Sequence, residues 1–229
     1  MVPPADHSPG AGDLQPAWLL HRRPFRNTSL IVDLLTPLQG RVAAVVKGGQ
    51  RDPLWSPFRP LWVRLKPGGE LFTSMKVEPR SAPLGLQGTA LYCGFYVNEL
   101  VMRLIHRDAP VHQLWSLYGD TLSALGQSDM PDVVLRQFEL ALLDELGVGI
   151  DLSVDIQGQP LLAEACYQFD AEQGLVRADH GYQGADLLQL FDSQWDAATR
   201  HLAKRLCREM LAPHLQGRPL KSRELFRKR

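Results

Sequence analysis

Positively charged and flat aromatic side chains alternate through the first third of this sequence, and they are its clearest candidates for function. Cations attract phosphate groups, and aromatic rings stack on unpaired bases, with each stacked base contributing about 1–3 kcal/mol. A surface that combines both side-chain types is suited to nucleic acid. The candidate residues are Arg22, Arg23, Arg26, Arg41, Lys47, Arg51, Trp55, Phe58, Arg59, Arg64 and Lys66.

The two aromatic candidates, Trp55 and Phe58, lie in a proline-rich stretch, RDPLWSPFRP, which is typical of a loop. We therefore expect Trp55 and Phe58 to be exposed and available for stacking. The alternative is that about half of the aromatic residues of this region fill a small hydrophobic core.

Sequence patterns for catalysis are weak throughout the chain. The sequence contains no phosphate-binding loop of the G-x-x-x-x-G-K-[ST] type, no G-x-S-x-G nucleophile motif and no H-E-x-x-H zinc motif. Glu139, Asp144 and Glu145 share one predicted helix, but such carboxylates most often face solvent. Three widely separated cysteines indicate reduced thiols rather than a disulfide framework. We predict no catalytic residue, no metal and no cofactor, and hence a protein that acts by binding.

Charge is strongly segregated along the chain although the formal net charge is zero. Residues 1–85 hold 11 Lys or Arg and 6 Asp or Glu, residues 86–216 hold 8 and 18, and residues 217–229 hold 6 and 1. Basic segments at both ends indicate a polyanionic partner, although solubility alone could also account for such a pattern.

The hydrophobic periodicity divides the chain into different structural regions. Residues 1–15 read as a disordered extension without the features of a signal peptide, and residues 16–85 as four or five short strands. Such strands fit a small antiparallel barrel of the OB type, an SH3-like barrel or a plain meander. Helical periodicity follows over 86–229, interrupted by a hairpin-like insertion at about 150–178. The fold class is therefore α+β, and no apolar run is long enough to predict a membrane span.

Four stretches in order along the chain resemble the bacterial RecO family of DNA repair proteins. They are HRRPFRNTSLIVDLLTPLQGRVAAVVKGGQR, LYCGFYVNELVMRLI, LRQFELALLDELG and PLKSRELF. Each stretch is short, but together they span the chain from about His21 to Phe226.

The resemblance implies an N-terminal OB-fold, a helical domain and a small inserted subdomain. It also implies a cytoplasmic, nucleoid-associated recombination mediator, not an enzyme, that binds single- and double-stranded DNA and anneals complementary strands. Its expected partners are RecR and the C-terminal tail of single-stranded DNA-binding protein, and it helps the recombinase load on coated strands. Some family members bind zinc through four cysteines in the insertion, whereas this insertion has only Cys166, so no zinc is expected. A second hypothesis is a protein-only adaptor with incidental DNA contact.

The partner tail ends in an aromatic residue and a carboxylate, and the resemblance assigns its binding to Arg136 and Leu140. On the predicted helix Leu140 points away from the inward stripe, with Arg136 one turn earlier on the same side. The alternative is that Leu140 packs on a neighbouring helix. A basic C-terminal arm is a further DNA candidate, unless it packs back on the protein. Its cations are Arg218, Lys221, Arg223 and Arg227.

Overall fold

A computed structural model describes residues 14–107 and 111–226 of the chain. Its contacts divide the chain into two compact units, with the division between Gly126 and Gln127. The first two helices thus belong with the N-terminal strands, and the predicted boundary near residue 85 falls inside the first unit. Of the predicted extension, only Leu14 and Gln15 are described, and Gln15 already begins the first strand.

The first unit is built on a closed five-stranded barrel. Its strands are β1 (Gln15–Phe25), β2 (Ser29–Thr36), β3 (Gly40–Val46), β4 (Pro60–Lys66) and β5 (Phe72–Pro79). They pair in the order β1-β2-β3-β5-β4, with β4 pairing back to β1 and with a single parallel pair, β3 and β5. The prediction of an OB-type barrel is confirmed.

Alternation along β4 shows how the sequence specifies the inside and outside of the barrel. Leu61, Val63 and Leu65 are buried in the barrel core, whereas Arg64 and Lys66 are exposed. Successive side chains of a strand point to opposite faces, so the apolar residues fill the barrel and the cations face solvent.

The loop between β3 and β4 contributes to the core instead of extending into solvent. Trp55 is completely buried in the barrel core, and Phe58 is 2% exposed with its ring 5.2 Å from that of Phe95. Asp52 turns the chain back, because its carboxylate accepts a hydrogen bond from the amide of Leu54. The prediction that Trp55 and Phe58 are exposed is therefore wrong: the loop closes over apolar surface and uses both rings to cover it.

Helices α1 (Gly88–Leu104) and α2 (His112–Gln127) follow the barrel in the chain. Buried Asn98 links helix α1 to β1, because its side-chain amide donates a hydrogen bond to the carbonyl of Leu20 at 2.8 Å. The side-chain oxygen of Asn98 accepts a second hydrogen bond from the Tyr118 hydroxyl at 2.6 Å. Tyr118 of α2 also packs edge-on against Trp18 of β1. One polar group thus links a strand and two helices.

The second unit contains three helices and a small sheet. The helices are α3 (Pro131–Glu145), α4 (Gly184–Phe191) and α5 (Ala197–Leu211). Pro131 lies in the first turn of α3, and Gly147 has a φ of 70° just beyond its end. The amide of Val148 then reaches the carbonyl of Leu143, which is the hydrogen bond expected of a glycine-terminated helix.

The predicted insertion forms an antiparallel hairpin. Its strands are β6 (Cys166–Asp170) and β7 (Gly174–Ala178), and the short β8 (Tyr182–Gln183) pairs with the other edge of β6. Tyr167 is 1% exposed, and its hydroxyl accepts a hydrogen bond from the amide of Leu162. Tyr167 therefore anchors the hairpin to the segment that precedes it. In the described part of the chain, no helix is long and apolar enough to cross a membrane.

Candidate nucleic-acid interface

At one end of the barrel, the end of β1, the beginning of β2 and the end of β3 lie side by side at a basic edge. Phe25 of β1 pairs with Ser29 of β2, and Leu30 pairs with Val46 at the end of β3. Arg26 and Lys47 follow these strand ends directly and are exposed. The register thus brings cations that are 21 residues apart in the chain to the same end of the barrel.

Gln50 joins the two loops at this end. Its side-chain amide donates to the carbonyls of Arg26 and Ser29, and its backbone amide donates to the carbonyl of Thr28. Because Gln50 lies in the short 3-10 helix Gly49–Arg51, these bonds place Arg51 beside the β1–β2 turn. We call Arg26, Lys47 and Arg51, together with the exposed Arg22 and Arg23 near the end of β1, the barrel-end cluster.

The cations of the barrel-end cluster are available to a ligand. All five are exposed, and within the described residues none of them forms an ion pair. The guanidinium of Arg26 lies 5.0 Å from the centre of the Phe25 ring, which adds a flat surface to the cluster. Exposed, unneutralised cations with an adjoining ring are suited to a phosphate backbone.

Arg64 and Lys66 lie elsewhere, on the outer face of β4. Arg64 is directly opposite Lys76 of β5, so two like charges adjoin across the strands, although Lys76 also pairs with Glu78. Nearby, Arg80 is held between Trp62 and Trp115, at 5.6 and 5.2 Å from the ring centres. Sequence reasoning missed Trp115, because it is on α2 and only the fold brings it to this face.

Two predicted DNA contacts are engaged within the protein. Arg41 is half-buried and donates to the carbonyl of Met102 in α1, and this burial, together with the charge of Arg107, lowers its pKa. Arg59 is also half-buried and donates to the hydroxyl of Ser56. Neither belongs to the barrel-end cluster, and the buried rings of Trp55 and Phe58 offer no stacking surface.

Arg136 on α3 is not the exposed arginine that the sequence suggested. It is 9% exposed, and its guanidinium lies 2.8 Å from the carboxylate of Glu139, which is completely buried. The buried Cys207 of α5 adjoins the same pair, and burial, followed by the negative charge of Glu139, raises the pKa of its thiol. The arginine thus serves an ion pair within α3, on the side that Cys207 of α5 adjoins.

Leu140 is half-buried and lines a groove of about 360 Å³. Apolar side chains from the same unit form most of the lining, including Phe191, which is 53% exposed. The charged residues of the lining are Asp144 and Asp151. Burial raises the pKa of Asp144. The groove can take an apolar side chain, but its charge is unfavourable for a carboxylate.

The C-terminal segment folds into a short 3-10 helix, Lys221–Phe226. Leu220 and Ser222 are buried at 2% and 6% exposure, so the segment packs back on the protein. Arg218 and Lys221 remain exposed, Arg223 is half-buried, and Arg227 lies outside the described residues. No group of three or more potential metal ligands occurs among the described residues.

The two parts of the chain match two halves of one known family. Residues 14–82 match the recombination protein O N-terminal family, and residues 86–224 match the recombination protein O C-terminal family. The chain belongs to the RecO family. The matched boundary between residues 82 and 86 follows the end of the barrel strands.

Curated RecO proteins resemble this chain over nearly its whole length. DNA repair protein RecO of Pseudomonas aeruginosa is 42% identical over 222 residues, which cover 94% of this chain and 95% of that protein. The protein of the same name from Pseudomonas putida is 43% identical over 225 residues, covering 94% and 97%. The Pseudomonas entomophila protein is 43% identical over 222 residues, with the same coverage.

Proposed function

We propose that this chain is a non-enzymatic recombination mediator that acts in recombinational DNA repair. It binds single- and double-stranded DNA, promotes annealing of complementary strands, and helps the recombinase load on coated single strands. The barrel-end cluster is the observation that carries this proposal, since exposed cations on an OB-type barrel fit a nucleic-acid backbone. Membership of the RecO family, whose curated members are named for DNA repair, supports the same role.

The DNA contacts in this proposal are those candidate side chains that are exposed to solvent. The barrel-end cluster holds phosphates, and Trp62 with Arg80 offers a separate aromatic and cationic surface near Arg64 and Lys66. Arg41, Arg59, Trp55 and Phe58 are left out because they serve the protein's own structure.

The central experiment compares two variants that remove the same amount of charge. In one variant Arg23, Lys47 and Arg51 become Gln; in the other Lys76, Arg103 and Arg200 become Gln. The second set is already neutralised, by Glu78, Glu99 and Asp132 respectively. The binding constant for a fluorescent single-stranded oligonucleotide is measured between 50 and 300 mM salt.

We expect the barrel-end variant to bind weakly at every salt concentration. Each lost phosphate contact lowers the slope of log K against log salt by about 0.7 on a single strand, so three contacts lower it by about 2. The charge-matched variant keeps nearly the whole slope. Equal losses in both variants, or binding by the wild type that ignores salt, would reject the barrel-end cluster as the DNA site. They would then favour the protein-only adaptor.

RecR and the C-terminal tail of single-stranded DNA-binding protein are the proposed protein partners, with action in the cytoplasm at the nucleoid. In this proposal the aromatic side chain of the tail binds in the groove beside Leu140, and Arg136 does not contact the tail. The negative charges of Asp144 and Asp151 in the groove lining would weaken the binding of the terminal carboxylate. A tail peptide with an amidated C-terminus should bind at least as tightly as the free acid. A much weaker amidated peptide would show that a cation does grip the carboxylate.

A further inference from the structure

Helix α5 is a basic element within the acidic part of the chain. Residues 86–196 hold 4 Lys or Arg against 17 Asp or Glu, whereas residues 197–229 hold 10 against 2. Four of those ten cations lie on α5 itself, at Arg200, Lys204, Arg205 and Arg208. The positive charge of the C-terminal region therefore begins on a regular helix, well before the basic arm.

The packing of α5 presents these cations to solvent. Leu202, Leu206 and Met210 are buried, which fixes the inward face of the helix. Lys204 and Arg208 are exposed and four residues apart, so they are neighbours on the outer surface. Among the described residues neither forms an ion pair. Arg200 differs, because its guanidinium lies 2.7 Å from the carboxylate of Asp132.

A polar cavity of about 440 Å³ adjoins this face. Its lining residues are Gln168, Phe169, His180, Gly181, Tyr182, Arg205 and Glu209. The guanidinium of Arg205 lies 3.9 Å from the centre of the Tyr182 ring and is half-exposed on its other side. Tyr182 itself is 3% exposed, and the Nε of Arg205 also lies 3.8 Å from the carboxylate of Glu209.

These features fit one chemical class of ligand. A guanidinium backed by a tyrosine ring is a platform on which an unpaired base can stack. The carboxylate of Glu209, which also lines the cavity, can accept a hydrogen bond from an exocyclic amino group of such a base. The carboxylate of Glu209 disfavours a phosphate inside the cavity, whereas the exposed Lys204 and Arg208 can attract one outside it.

We propose that the outer face of α5 and the cavity at Tyr182 form a second site for single-stranded nucleic acid. Its phosphates bind Lys204 and Arg208, and one base stacks on Arg205. This inference rests on the proposed function and extends it, because the barrel-end cluster is in the first unit and α5 is in the second. One molecule then holds two strands, as a protein that pairs complementary strands requires.

Two labelled oligonucleotides that cannot pair with each other test this directly. One carries a donor dye and the other an acceptor, and energy transfer reports both strands on one protein. Native mass spectrometry of the same mixture gives the number of strands per chain. The test variant has Lys204 and Arg208 changed to Gln, and the charge-matched control has Arg103 and Arg200 changed to Gln, two cations that Glu99 and Asp132 already neutralise.

We expect the wild type and the control to hold two strands per chain. The Lys204/Arg208 variant should hold one, lose energy transfer, and show a salt slope lower by about 1.4, since each single-strand phosphate contact contributes about 0.7. Arg205→Lys keeps the charge but removes the flat guanidinium on which the base stacks, so it should weaken single strands several-fold while leaving duplex binding unchanged. Circular dichroism on each variant confirms that α5 remains folded.

Four outcomes overturn the inference, and the last of them leaves the proposed function standing. The first is one strand per wild-type chain. The second is equal losses in the test and control variants, which would indicate net charge alone. The third is an acidic peptide that binds the wild type, competes with the second strand and is lost with Lys204 and Arg208, which would make this face a protein-binding site. If the barrel-end variant loses DNA while α5 variants do not, the proposed function stands and this inference fails.

Discussion

Asn98 is the polar residue on which the packing of the first unit depends most directly. It is 5% exposed, and its amide satisfies both the carbonyl of Leu20 and the hydroxyl of Tyr118. Burial raises the pKa of Tyr118, so this hydroxyl remains a donor at any physiological pH. A residue of this kind fixes one arrangement of strand and helices, because any slip would leave buried polar groups unpaired.

Replacing Asn98 with Ala is therefore expected to destabilise the first unit. It leaves two buried polar groups without partners, each costing about 1–3 kcal/mol. Tyr118→Phe removes only one of the two bonds and should cost less. Urea unfolding followed by fluorescence measures both, and a cost for Asn98→Ala no larger than that for Tyr118→Phe would contradict the linking role.

The ion pair of Arg136 and Glu139 gives a second prediction at this scale. Arg136→Met leaves the buried carboxylate of Glu139 without its cation, and breaking a buried pair in this way costs about 3–5 kcal/mol. The double change Arg136→Met with Glu139→Leu removes both charges and should recover most of that loss. Chemical denaturation of wild type, Arg136→Met, Glu139→Leu and the double variant gives the coupling energy. Additive costs would show that the two charges act independently.

At the scale of the elements, the N-terminus of α5 is capped by a titratable residue, Asp196. The carboxylate of Asp196 accepts hydrogen bonds from Thr199, mainly from its backbone amide, and these hold the pKa of Asp196 below its usual value of 3.8. A carboxylate with a depressed folded-state pKa stabilises the folded state above its unfolded pKa, and loses that contribution as pH falls through the folded value.

The advantage of wild type over Asp196→Ala should accordingly be complete at pH 7 and shrink below about pH 4. Asp196→Asn keeps an acceptor for Thr199 but does not titrate, so its advantage over Ala should be independent of pH in this range. Thermal melts monitored at 222 nm between pH 3 and 7 measure both differences. A constant gap between wild type and Ala would exclude the charged cap.

The elements also show where sequence reasoning succeeds. Regular alternation in β4, and the Pro131 and Gly147 boundaries of α3, predict strand and helix because they reflect local geometry. The proline-rich loop predicts that Trp55 and Phe58 are exposed, but both are buried, because their burial depends on strands elsewhere in the chain. The basic face of α5 was missed because charge was averaged over residues 86–216, in which α5 is the exception.

The molecule as a whole has a formal net charge of zero, but it combines strongly basic ends with a strongly acidic middle region. The isoelectric point is about 7.1, so near neutral pH no net repulsion keeps copies apart. Net charge near zero favours association, and segregated charge allows the basic ends of one copy to meet the acidic middle of another. Such attraction acts over about 30 Å at 10 mM salt but only about 8 Å at 150 mM.

We therefore predict reversible self-association at low ionic strength. The apparent mass in light scattering should rise as salt falls from 300 to 20 mM near pH 7, and return to its starting value when salt is restored. A short single-stranded oligonucleotide at low salt should also disperse the associated protein, because it occupies the basic surfaces that contact the acidic middle. Changing Arg218 and Lys221 to Gln removes exposed cations and should reduce the effect in proportion. A mass that is constant across this salt range would show that the opposed charges are neutralised within each molecule instead of between copies.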